Sequence, residues 1–480
     1  MSEIKIKKIN NFLWEIPQEN KMNVPGRIYA SEKMLTNIHE DNAAEQVQNV
    51  AQLPGILKHS FAMPDIHWGY GFPIGGVAAF DMNSGIISPG GVGYDINCGV
   101  RLLKTGLSKA DIQEKRRHII QRLFNYIPTG VGSTGKLTVT DDQLDQVMKR
   151  GARWAVENGF GEAEDLEKIE EHGEMEGADP AAVSDRAKKR GRPQLGTLGS
   201  GNHFVEVQYI EKIFDHHLAQ RLGLFEGQVT ITIHTGSRGL GHQICDDSIR
   251  TMIKASEKYG IDLPDRQLCC APINSPEGQE YFAAMVSGVN FAFANRQIIS
   301  FWVQEAFMRA LGISPKDVKL SLVYEVAHNI AKIETHVIDG KKIKCCVHRK
   351  GATRAFGPGA KELPEIYRDI GQPVLIPGDM GRASYVLIGT DEAMAQTFGS
   401  TCHGAGRIMS RNQAKKAAQG RSIKEELAHQ DIYVLASSRA TMDEEMPEAY
   451  KDVSDVVAAV VGAGISKQVA KLKPLGGIKG

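Results

Sequence analysis

The chain has 480 residues, 42% of them hydrophobic and 24% charged, a length that suits one large unit or two to three domains. That balance excludes collagen, extended coiled coil and intrinsic disorder. Lys plus Arg and Asp plus Glu both total 57, so any grip on an anionic polymer comes from a local basic patch, and a polybasic binder is excluded.

In chain order, the segment MSEIKIKKINNFLWEIPQ starts basic but lacks the apolar core of roughly 7 to 15 residues that a secretory signal needs. Glycine clusters follow at 69–76 and 85–100, and recur at 196–202, 236–242, 377–381 and 403–407. Each adjoins His, Asp, Cys or Arg, the setting expected of loops that line a metal or cradle a phosphate. Helical periodicity predicts helices over 108–125, 143–157, 212–223, 278–312 with a break near Gly288, and 408–429. Alternating patterns predict short strands at 202–208 (NHFVEVQ), 228–234 (QVTITIH) and 322–328 (LVYEVAH). The stretch 161–180 carries nine acids and reads as a solvated helix and loop. Five cations in the seven positions 186–192 form a basic patch that suits either phosphate or solvent. The richest apolar tract, 456–465, is far short of the ~18 residues of a membrane span. Seven cysteines, two pairs of them vicinal, do not make a disulfide framework, so a reducing cytoplasm is expected. Strands and helices interleave without a fixed βαβ repeat, which favours an α+β fold with residues 1–480 as one catalytic unit.

Chemistry gathers at strand ends. In QVTITIH the apolar Val229, Ile231 and Ile233 share one face, so His234 leaves the core side at the end of the strand. His328 ends LVYEVAH and His203 opens NHFVEVQ. Asp95 and Cys98 lie three apart in GVGYDINCGV. A thiolate, a carboxylate and imidazoles suit a first-row transition metal, and ligand softness alone points to zinc. His403 stands in a glycine-flanked turn before a helical run, where backbone N–H groups can face an anion beside the imidazole.

The strings HWGYGFPIGG, SPGGVGYDINCGVR, GTLGSGNHFVEV, HTGSRGLGH, YEVAHN and TCHGAGR, in this order over nearly the whole chain, resemble the RtcB family of RNA ligases. The resemblance implies one α+β domain with central β-sheets flanked by helices. It implies GTP and two Mn ions as cofactors, and joining of RNA 2′,3′-cyclic phosphate or 3′-phosphate ends to 5′-hydroxyl ends, in tRNA splicing or RNA repair. Carried onto matching positions, Cys98 is shared by both ions, His234 and His328 complete one, and Asp95 and His203 complete the other. His403 becomes the nucleophile that takes GMP from GTP. Asn202, Phe204, Glu206, Ser384, Tyr450, Lys479, Gly404 and Gly406 match guanylate-binding positions. Arg190 and Arg238 match positions that hold RNA phosphate, and Asp65 is a candidate proton acceptor for the 5′-hydroxyl, with support of a metal ligand as its alternative. A small activating protein, archease, is a candidate partner, and a monomer is expected.

Asp379 and Arg382 depart from the family pattern, which has small hydroxyl residues at both places. Two rival functions remain: a metal-dependent phosphoesterase or nuclease that cleaves without joining, and a non-catalytic RNA binder. Neutral overall charge and the scarcity of evident aromatic stacking platforms count against the second.

Overall fold

The computed structural model describes residues 4–480, apart from the side chains of residues 39 and 40. Ten strands position the site: β1 (Ser60–His67), β2 (Ile74–Asp81), β3 (Gly99–Ser108), β4 (Phe204–Ile213), β5 (Gln228–Thr235), β6 (Ser321–Ala327), β7 (Asn329–Ile338), β8 (Lys341–Lys350), β9 (Ser384–Gly389) and β10 (Ser466–Lys479). One seven-stranded sheet runs from three short N-terminal strands through β1, β2, β8 and β7. An eight-stranded sheet is ordered β6, β3, β5, β4, β10, β9 and Pro373–Ile376, with Tyr433–Ala436 pairing parallel to β10. His328 is the single residue between β6 and β7, so the chain crosses from one sheet to the other at that imidazole.

The three expected strands are present with shifted ends. β4 starts two residues late because Asn202 belongs to the preceding turn and His203 links that turn to the strand, and it runs on to Ile213 because β10 pairs with it that far. β5 is buried on both faces. Thr230 and Thr232 are therefore interior, and the Thr232 hydroxyl donates to Gln208 Oε1 at 2.7 Å.

Four helices flank the sheets near the site: α1 (Asp141–Glu157), α2 (Asp185–Gly191), α3 (Arg238–Lys258) and α4 (Pro276–Leu311). The fold is α+β, as its element pattern indicates. α4 is continuous where a break was expected near Gly288. That glycine lets Ile96 and Ile244 approach to 3.3 and 3.4 Å of where its Cβ would stand, and burial of most of the helix outweighs glycine's weak helix propensity. The expected helix 408–429 is instead two, Arg411–Ala417 and Ile423–His429, divided near Gly420 with φ +78°. The expected helix 212–223 is shortened to His216–Leu222, capped by Asp215. The acidic stretch is not all solvated. Glu170 is buried and pairs with Lys332, and Glu171 meets Lys332 at 2.7 Å and Arg354 at 2.9 Å. Among the described residues no helix is long and apolar enough to cross a membrane.

Candidate active site

Strand register brings the chemistry to one end of the eight-stranded sheet. Val100 on β3 and Phe204 on β4 flank His234 on β5, Ala327 on β6 pairs with Gly99, and Lys479 on β10 pairs with Phe204. Cys98, His203 and His328 each adjoin one of those paired ends, so four distant segments converge. Cys98 Sγ lies 3.2 Å from His234 Nε2 and 3.6 Å from His203 Nε2, and His203 Nε2 is 2.7 Å from Asp95 Oδ2. Asp95, Cys98 and His203 offer ligand atoms all within 4.8 Å of one another. The His328 ring sits 5.8 Å from that of His234 and 5.3 Å from that of His403, centroid to centroid.

The electrostatics fit a cation. Burial drives the His234 and His328 imidazoles well below their ordinary range, so both are neutral and carry lone pairs. Both His328 nitrogens and His234 Nδ1 are buried without a hydrogen-bond partner, an arrangement that native interiors avoid unless something binds there. Burial, with the Asp95 charge beside it, pushes the Cys98 thiol well above its ordinary value. A divalent ion would supply the charge that makes it a thiolate. Burial also pushes Asp95 upward, but His203 and Arg238 outweigh it and hold the carboxylate ionised. His203 Nδ1 is 3.1 Å from the Leu198 carbonyl, which accepts its proton whenever Nε2 is a ligand. The donor set of one sulfur, one carboxylate and three imidazoles therefore fits a metal centre.

A cavity of about 650 Å³ opens onto this cluster. Cys98, His234, His328, His403, Gly404 and Gly406 line it, as do Asn202, Phe204, Tyr450 and Lys479. His403 is fixed from behind by Asp65, which is fully buried: its Oδ2 accepts from the backbone N–H groups of His403 at 2.8 Å and Gly404 at 3.2 Å, and from the imidazole Nδ1. Asp65, expected as a proton acceptor or as support of a metal ligand, stands here against His403. Its carboxylate touches the nucleophile candidate rather than solvent or a metal ligand.

Glu206 and Ser384 lie just behind the cavity wall, joined by Gln208, whose Nε2 donates to both. Burial pushes the Glu206 carboxyl up to about 8, with the Gln208 bond and the Lys479 charge opposing and Asp379 reinforcing it. Lys479 Nζ stands 5.2 Å from the Phe204 ring centroid and 3.4 Å from Glu445. The two departing residues compensate each other, since Arg382 meets Asp379 at 3.3 Å and also donates to the Lys451 carbonyl at 3.0 Å. Arg238 NH1 lies 2.9 Å from His203 Nδ1. Arg190 is exposed at the first turns of α3, donating to Gln243 at 2.9 Å, and does not line the cavity.

Sequence reasoning missed Arg407, Glu445, Lys350 and Lys451. Arg407 donates to Glu445 at 3.0 Å and to the Tyr450 hydroxyl at 2.9 Å, while burial pushes Lys350 at the cavity wall down to about 7. Only Arg407, inside the HGAGR string, had a local signal; the others become visible through long-range pairing.

The family described as tRNA-splicing ligase RtcB matches residues 46–480. Proteins named tRNA-splicing ligase RtcB are similar along the whole length: 58% identical over 477 residues in Archaeoglobus fulgidus and 54% over 478 in Thermococcus kodakarensis, covering 99% of each chain. A third, from Nanoarchaeum equitans, is 50% identical over 479 residues, all of both chains. The chain belongs to the tRNA-splicing ligase RtcB family.

Proposed function

We propose that this chain, with residues 1–480 acting as one catalytic unit, joins RNA 2′,3′-cyclic phosphate or 3′-phosphate ends to 5′-hydroxyl ends at the expense of GTP. The names of its relatives favour tRNA halves, and repair of broken RNA uses the same chemistry. The observation that carries the reading is the placement of His403: its Nδ1–H is held by a buried carboxylate, and its ring faces a cavity shared with His234 and with His328, whose two nitrogens have no partner.

Asp65 holds the Nδ1 proton, leaving the Nε2 lone pair free to attack the GTP α-phosphorus. The bond to the leaving oxygen breaks, pyrophosphate departs, and His403 carries GMP through a P–N bond. A cyclic RNA end is opened by water to a 3′-phosphate. That phosphate takes GMP from His403, breaking the P–N bond, and the 5′-hydroxyl then attacks the RNA 3′-phosphorus and expels GMP. Two Mn ions, one held by Cys98, His234 and His328 and the other by Cys98, Asp95 and His203, would supply Lewis-acid polarisation of the phosphoryl oxygens. Phe204, Asn202, Tyr450 and Lys479 embrace the guanylate, Gly404 and Gly406 give its phosphate close backbone approach, and Glu206, joined to Ser384 through Gln208, accepts from guanine. Arg238 faces the RNA phosphate, with Arg190 further along its path. A monomer in the cytoplasm completes the reading, the compartment supported by the seven free cysteines and an archease-type activator by the resemblance.

Incubation with α-labelled GTP and Mn should leave acid-labile, alkali-stable label on the protein, absent from His403→Ala. An unlabelled wild-type protein that still consumes RNA ends would make it a phosphoesterase and end the ligase reading.

A further inference from the structure

Beyond the guanylate residues, the cavity wall carries Trp68, Tyr70 and Tyr94, to which the steps above assign nothing. Trp68 is 48% exposed. Tyr70 meets Tyr94 edge-on with ring centroids 5.6 Å apart, and Tyr94 lies against the exposed His242 at 4.9 Å with planes 35° apart. The aromatic surface thus leads from the cavity to the first turn of α3, where Arg190 is bound to Gln243.

The exposure of Trp68 does not come from a loose loop. Its backbone N–H donates to the Asp41 carboxylate at 3.2 Å. Gln46 Nε2 donates to the carbonyls of Gly69 at 2.6 Å and Gly71 at 2.9 Å, and its Oε1 accepts from the Gly69 N–H at 2.9 Å. Gln267 accepts from the Gly71 N–H at 2.9 Å, and Lys350 donates to the Phe72 carbonyl at 3.1 Å. Every residue from 68 to 72 except Tyr70 is clamped by one of these bonds, and the Tyr70 carbonyl also receives Lys350. A rigid loop that holds an indole toward solvent is preorganised for contact.

We propose that Trp68, Tyr94 and His242, backed by Tyr70, form a stacking wall for unpaired nucleobases at the RNA end being joined, continuing onto Arg190. The inference rests on the ligase reading and names how the RNA is held. Flat faces beside a nucleophile, with a guanidinium at the edge, match single-stranded RNA, because stacking accepts every base and leaves the end reactive.

The test is equilibrium binding of a fluorescein-labelled single-stranded RNA bearing a 3′-phosphate, compared with the same RNA carrying an abasic terminal nucleotide. Trp68→Ala should weaken binding of the intact RNA roughly tenfold, and Trp68→Phe should recover most of it. The abasic RNA should bind wild type about tenfold more weakly and lose nothing further with Trp68→Ala, the coupling expected when the two changes remove one contact. Since Trp68 is half exposed, its truncation leaves no core cavity, and an unchanged unfolding midpoint checks the fold. Wild-type affinity in Trp68→Ala, or an equal loss for intact and abasic RNA, would overturn the stacking wall. Binding needs no catalysis, so failure of His403 labelling would remove the ligase reading by itself.

Discussion

Asp65 and His403 meet across 338 positions of sequence, the carboxylate with no exposed surface and the imidazole at the cavity wall. One oxygen of Asp65 takes the imidazole Nδ1 proton together with two backbone N–H groups, while its other oxygen has no partner. Burial pushes the Asp65 carboxyl upward, but its contacts with His403, with the Lys451 charge adding to them, outweigh it and hold the group below its ordinary value. An ionised acceptor at Nδ1 fixes the tautomer whose lone pair faces the cavity.

Asp65→Asn removes that charge while preserving shape. The amide no longer favours a proton on Nδ1, so the rate of His403 guanylylation should fall by up to about four orders of magnitude, the loss that follows when a buried orienting carboxylate is replaced by its amide in a His-based site. GTP binding, measured by calorimetry, should stay within a few fold. Labelling at the wild-type rate would show that the carboxylate only supports the backbone.

The unpartnered imidazoles make a second expectation about stability. An ion bound only by the folded chain adds roughly 2.7 kcal/mol when present at a hundred times its dissociation constant. Mn should therefore raise the unfolding midpoint of the wild-type protein, and Cys98→Ala or His328→Ala should reduce that increment. The midpoints of the same variants in the presence of chelator give the metal-free baseline, which carries any packing loss at these buried positions, so the loss of the Mn increment is read against it.

How much of this could be read from the chain depends on the range of each interaction. Alternation placed His203, His234 and His328 at strand ends, and local pattern sufficed because each is fixed by its own strand. Glu170 could not be read in this way. Its acidic neighbours suggest solvent, yet it accepts from the Ala327 N–H at 2.9 Å and pairs with Lys332, so it braces the residue before His328 from 157 positions away. Gly288 misled for the same reason: its packing against Ile96 and Ile244 is tertiary. The aromatic wall went unseen because Trp68, Tyr94 and His242 come from three separate segments.

Glu206 sets a pH dependence. Its folded pKa, about 8, lies above the ordinary carboxyl value, so its contribution to stability is fully present at acid pH and is lost as pH rises through about 8. On the proposed reading Glu206 accepts N–H groups from guanine as a carboxylate, so nucleotide binding below that pH releases a proton. Affinity for GTP should rise with pH, by up to tenfold per unit, and level off near 8. Calorimetry in two buffers of different ionisation heat measures the released proton directly. Glu206→Gln should bind more weakly and without this slope; a pH-independent wild-type affinity would separate Glu206 from the guanine edge.

Arg296 governs the loop that carries Asp95 and Cys98. From the middle of α4 its fully buried guanidinium donates to the carbonyls of Asn97 and Thr235, each at 2.7 Å, and to Asn97 Oδ1 at 2.9 Å, while its Nε pairs with Glu325 at 2.7 Å. Asn97 adopts φ +50°, a left-handed conformation that needs such restraint. Gly99 leaves the room, since a Cβ there would stand 3.1 Å from the guanidinium. One side chain thus ties the turn before Cys98 to the residue after His234. Arg296→Met leaves Glu325 half-paired, with Arg101 as its remaining cation, and frees both carbonyls. Loss of one partner from a buried pair typically costs about 3–5 kcal/mol, so urea unfolding should show a deficit of that order. Mn titrations of the folded fraction should show weaker binding as Asp95 and Cys98 lose their shared frame. A variant that unfolds early yet binds Mn as tightly as wild type would limit Arg296 to the core and leave the loop to hold itself.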